Sequence, residues 1–156
     1  MHGSARRRQN GFGLLDLMVT LVVMGLLAAL AVPAYTGMVN RGRVSGAIGD
    51  IGSIAVAIER FSVNNNDRLP ASLAELNMDV PLDPWGNEYV YLNIRGAGAG
   101  VGGFRKDGNL NPLNTDFDLY SRGADGASAG PLSAKASRDD IVRANNGAFI
   151  GLGEDY

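Results

Sequence analysis

The hydrophobic pattern changes character twice along the chain. From Phe12 to Tyr35 the residues are almost wholly apolar, and Asp16 is the single charge. At about 1.5 Å per residue, a helix of that length reaches roughly the 30 Å hydrocarbon core of a bilayer, so the run predicts a membrane span. Beyond Pro33 the pattern becomes amphipathic. Val44, Ile48, Ile51, Ala55, Ile58 and Phe61 recur at three- and four-residue spacing, while Asn40, Arg41, Arg43, Asp50, Glu59 and Arg60 fall mostly elsewhere. One long helix is therefore expected up to the polar cluster Asn64–Asp67. Pro33, which lacks a backbone N–H, predicts a kink or a loosened turn within it. Glycines 42, 46, 49 and 52 share one face of this helix. They suit close approach by another helix or a bend, and equally a plain excess of glycine.

The rest of the pattern is short and punctuated. Ser72 followed by Glu75 is a capping-box spacing and predicts a short helix at Ser72–Leu76. Asp83-Pro84-Trp85-Gly86-Asn87 reads as a turn with Trp85 as a core anchor. Glu88–Ile94 alternates with aromatic and β-branched residues and predicts a strand, and Gly96–Gly103 is glycine-rich enough to predict a mobile loop. Phe117–Ser121 is a second predicted strand, closed by a turn at Gly123–Gly126. Ser137–Asp140 is expected to open another short helix, and Ala148–Leu152 to form the last strand. The expected fold class is α+β, a long helix laid on a small antiparallel sheet. The domain reading is a leader at 1–11, a helical arm at 12–35 and a head at 36–156.

Charge gives the span a direction. The head of the chain, MHGSARRRQN, holds three arginines and no acid, which favours keeping that end cytoplasmic and the bulk of the chain outside the inner membrane. A secretory signal peptide is cut after its apolar region. Here the small residue Gly11 precedes the apolar region, so cutting before Phe12 would discard the arginines and keep the greasy helix. Asp16 then matters. A carboxylate in hydrocarbon costs a few kcal/mol and needs a partner, and a free amine made at Phe12 would be one, on the same chain or a neighbour. The alternative is an uncleaved anchor with an incidental acid.

The net charge of −2 becomes more acidic by three if the leader is lost, and Lys106 and Lys135 are the only lysines. That balance argues against nucleic-acid binding. There is no cysteine, so another staple for the head, such as a metal, is worth seeking. The single histidine is His2, in the leader, and no G-x-S-x-G, Walker A or dinucleotide fingerprint follows a strand. An enzyme is not expected.

Gly11, Phe12, the acid at Asp16 and Pro33 together resemble the class III signal of the type IV pilins and type II secretion pseudopilins. Within that superfamily, DPWGNEYVY, DFDLYSRGADG and SRDDI resemble the major pseudopilin of type II secretion, over nearly the whole mature chain. The resemblance implies a type IV pilin-like fold, cleavage after Gly11 by a prepilin peptidase, and N-methylation of Phe12. It implies an assembly role for Asp16, although glutamate is usual there, and for Pro33. It further implies a homopolymeric helical filament in the periplasm, built from the inner membrane with minor pseudopilins and an inner-membrane assembly platform.

A calcium site in the head is implied as well, with the Leu119 main-chain oxygen, Ser121, Asp125, Asp139 and Asp140 as candidate ligands. Calcium takes six to eight oxygens, and carboxylates on separate loops would supply them while pinning those loops together. On spacing alone, Asp125-Gly126 is equally a turn, Ser137 with Asp140 equally a capping box, and Asp139 equally a helix N-terminal acid. Two other functions remain in view: a subunit of a surface type IV pilus, and an anchored calcium-binding module that does not assemble. The absence of a disulfide-bounded loop and the presence of DPWGN favour the pseudopilin.

Overall fold

A computed structural model describes residues 13–97, 103–108 and 110–156. The expected leader, the expected cleavage residue Gly11 and methylation residue Phe12, and most of the glycine-rich stretch expected to be mobile lie outside the described residues. The chain separates into two compact units, one ending at Asn40 and the other spanning Arg41–Tyr156.

Helix α1, Leu14–Asn64, is continuous through Pro33. The Thr36 hydroxyl donates to the Pro33 carbonyl at 3.0 Å. In the first unit the large apolar side chains are exposed: Leu14 is 78% and Leu30 75% exposed. Mean hydropathy reaches 2.5 over an 18-residue window of α1. A surface of this kind is stable only in lipid or against other apolar helices.

In the second unit α1 buries Ala47, Ile51, Ile54, Ala55 and Ile58, the face expected from the spacing, with Ile54 and Ala47 added to it. These pack on a four-stranded antiparallel sheet of β1 (Val90–Asn93), β2 (Phe117–Ser121), β3 (Ile141–Ala144) and β4 (Phe149–Leu152), in that spatial order. Register pairs Tyr91 with Leu119, Tyr120 with Val142, and Val142 with Gly151. Phe117, Leu119 and Ile141 join the helix in one cluster. Because strand side chains alternate, Val142 and Ala144 meet Leu113 and Leu132 in a second cluster. The segments carrying Leu113 and Leu132, which belong to no helix or strand, therefore cover a second face of the sheet. Helix α1 ends where expected, and Asn66 and Asp67 take left-handed backbone just past it.

Three local expectations are corrected. The segment after Ser72 is a 3₁₀ turn, Leu73–Leu76, and Ser72 makes no side-chain cap bond among the described residues. Glu75 instead pairs with Arg68 at 3.1 Å. Ser137–Asp140 opens no helix: a 3₁₀ turn at Lys135–Ser137 leads directly into β3, a strand the sequence reading missed. The Ser137 hydroxyl donates to the Ala129 carbonyl at 2.7 Å and accepts the Ala129 N–H at 2.9 Å, so the oxygen that would accept a capping bond is spent on the 126–129 loop. Finally, β1 stops at Asn93, because Ile94–Ala97 forms one helical turn closed by the Gly96 N–H on the Asn93 side chain at 2.8 Å. The glycine stripe also divides: a Cβ at Gly46 would touch Pro84 at 3.4 Å, whereas Gly42, Gly49 and Gly52 meet nothing within 4 Å among the described residues.

Candidate functional site

Asp16 lies in the first turn of α1, where the exposed amides of a helix start favour an anion. Its Oδ2 accepts the Gly13 N–H at 3.3 Å, a long bond that leaves most of the carboxylate's capacity unused. It remains the only charge between Leu14 and Asn40.

In the head, the DPWGN turn does more than reverse the chain. Asp83, 4% exposed, accepts the N–H groups of Trp85 and Asn87 on Oδ1 at 3.0 and 2.8 Å. Its Oδ2 accepts the Ser121 hydroxyl at 2.5 Å. The Asn87 amide donates to the Gly123 carbonyl at 3.2 Å, so this turn is fastened to the end of β2. Gly123 is required there, with φ of +63° and Asp139 backbone pressed where a Cβ would stand.

The five calcium candidates are placed as follows. Leu119 is buried in the middle of β2, opposite Tyr91. Ser121 is bound to Asp83. Asp139 Oδ2 accepts the N–H groups of Ala124 and Asp125 at 2.9 and 3.1 Å, while Asp125 Oδ1 accepts the Ala127 N–H at 2.7 Å. Asp125 and Asp139 thus share one turn. Asp140 belongs elsewhere: it is fully buried, and its Oδ2 accepts from the Arg105 guanidinium and from the Ser128 hydroxyl, the latter at 2.7 Å. Among the described residues no three acidic, histidine or cysteine side chains converge as a metal group would need. The structure brings Asp125 and Asp139 to one turn and pairs Asp140 with Arg105.

Sequence reasoning missed Asp83, Asn87 and Arg105. The first two were legible as an Asx-type turn inside DPWGN, but nothing local marks Arg105.

On the helix side, the Tyr89 hydroxyl donates to Asp50 Oδ2 at 2.8 Å. Burial first, and the Asp50 carboxylate second, push this hydroxyl far above its ordinary range. The unfolded chain releases that proton near pH 10 and the folded one later, so the contribution is whole below about pH 10 and is lost as pH rises above it. Tyr89→Phe should cost about 1–2 kcal/mol at neutral pH, and the gap to the parent should narrow above pH 10. Urea midpoints at the two pH values read this directly, and a gap that widens would refute it.

Across 145 aligned residues the chain is 34% identical to the type II secretion system core protein G of Pseudomonas aeruginosa, covering 80% of this chain and 90% of the relative. The chain belongs to the type II secretion system core protein G family. The core protein G of Escherichia coli is 30% identical over 78% of this chain and 86% of that protein. That of Vibrio cholerae is 27% identical over 80% and 86%. Residues 6–32 match the family described as the prokaryotic N-terminal methylation motif. No solved structure matches the chain. As a core protein G, this chain is a pseudopilin with the pilin-like α+β fold: a long amino-terminal helix packed on a four-stranded sheet.

Proposed function

We propose that this core protein G is the repeating structural subunit of a periplasmic pseudopilus. The precursor is held in the inner membrane by Phe12–Tyr35 with its arginines on the cytoplasmic side and its head in the periplasm. A prepilin peptidase cuts after Gly11 and methylates Phe12, and assembly machinery with minor pseudopilins draws the subunit into a helical homopolymer. The apolar arms bundle at the filament's centre and the heads form its outside. The protein acts by assembly rather than catalysis.

The observation that supports this reading most is the arm itself. It is a fully exposed apolar surface carrying one carboxylate near the amino end that the methylation motif would process. In a bundle of such arms, burying that charge without a partner would be strongly unfavourable, and a neighbour's new amine neutralises it. The relatives' membership of a type II secretion system favours a periplasmic filament over a surface pilus.

The test is mass spectrometry of the amino terminus of protein purified from native membranes. The expected first residue is N-methylated Phe12. A terminus still carrying Arg6, Arg7 and Arg8 would overturn the reading, because no amine would then exist where Asp16 needs one.

A further inference from the structure

The arrangement of Arg105 bears on what holds the loops of the head together. This residue is 2% exposed and lies under the sheet face opposite α1. Its backbone N–H donates to Asp118 Oδ2 at 2.8 Å, and its carbonyl accepts the Leu113 N–H at 2.7 Å. The guanidinium stacks over the Tyr120 ring with its central carbon 4.2 Å from the centroid. One terminal nitrogen donates to the Ser128 hydroxyl at 2.6 Å and to the Ala129 carbonyl at 2.7 Å, and the other donates to Asp140 Oδ2 at 2.5 Å.

A single planar cation thus ties four stretches: its own segment, β2, the 126–129 loop and the residue preceding β3. Backbone bonds run alongside it, from Lys106 N–H to the Gly130 carbonyl at 3.0 Å and from Leu132 N–H to the Lys106 carbonyl at 2.9 Å. Fixing separate loops by gathering their oxygens around one positive charge is what a bound divalent cation does in a protein. Here the guanidinium, with its rigid fork of donors, performs the same office.

We propose that Arg105 is the resident cation of this part of the head, so that the loops before β3 are pinned, and the head folds, without calcium. The partition of the acids agrees with this. Asp140 faces Arg105, while Asp139 serves the Ala124 and Asp125 amides. Asp140 is thereby committed through Oδ2 to a cation of the protein's own, while its Oδ1 and Arg105 Nε have no partner among the described residues.

The test uses the full-length chain in detergent micelles, with thermal melting followed by circular dichroism. In excess EGTA or in millimolar calcium the melting temperature should agree to within about 1 °C, since a ligand specific to the folded state would raise it. Arg105→Met should lower it by about 10 °C, because the buried Asp140 carboxylate loses its counter-charge. The double variant Arg105→Met, Asp140→Leu removes the stranded charge and should recover part of that loss. A parent protein that melts earlier in EGTA would overturn the proposal. So would an Arg105→Met variant that melts like the parent, or a double variant less stable than the single one.

Discussion

Asp16→Ala should leave a subunit that is processed and retained in the membrane but forms no filaments. Helix α1 does not need this carboxylate to form: it takes only the long bond from the Gly13 N–H, and the surrounding residues are good helix formers. Inserting the arm into lipid is if anything easier without the charge. What the variant loses is the partner for a neighbour's terminal amine inside an apolar bundle. Stranding a buried charge costs about 3–5 kcal/mol, which is roughly two to four orders of magnitude in the equilibrium for adding each subunit. Asp16→Glu keeps the charge on a longer side chain and should polymerise. Electron microscopy of cells overproducing each variant distinguishes the outcomes, and normal filaments from Asp16→Ala would remove the charge-pairing mechanism.

The second large effect concerns the head alone. Arg143 is 2% exposed and lies over the Phe117 ring, 3.9 Å from its centroid. It holds both oxygens of Asp116, at 2.9 and 2.7 Å, and donates to the Phe117 carbonyl at 3.1 Å. Arg143→Met should cost about 3–5 kcal/mol, enough to lower the melting temperature by about 10 °C or more. Burial alone would raise the Asp116 carboxyl, but hydrogen bonds from Arg143 and its charge outweigh that and hold it below the ordinary carboxylate range. An acid depressed by folding stabilises above its unfolded value, near pH 4, and loses that contribution as pH falls through the folded value.

The deficit of Arg143→Met should therefore be largest at neutral pH and shrink below about pH 4. Asp118, raised by its burial, works in the opposite sense in both proteins, so the difference between parent and variant is the quantity to follow. A deficit that stays constant between pH 7 and pH 3 would show that Arg143 acts through packing and not through Asp116.

How much of this was readable from sequence varied with the range of the interaction. Phe117–Ser121 was placed correctly as a strand because FDLYS carries its own alternation and a turn follows at once. Ile141–Ala144 was missed. Its burial is complete on both faces, and the charged residues in and before it, Arg143 and Asp140, are paired with Asp116 and Arg105 rather than facing solvent. Read locally, SRDDI looks like a polar helix start. The same misreading applies to Ser72 with Glu75, since a capping-box bond contributes only about 1 kcal/mol and an ion pair or a distant carbonyl competes with it on equal terms.

By itself the sequence determined the arm, its span, its lone acid and the core-facing stripe of α1. Those properties depend on composition and on a repeat of a few residues, which lipid or a core reads without regard to the rest of the chain. Only the tertiary structure decided which acids work together in the head. Arg105 reaches Asp140 across 35 positions of sequence. Their attraction exists only once the sheet has brought both into a dry interior, where opposite charges must find each other and a spacing rule has nothing to measure.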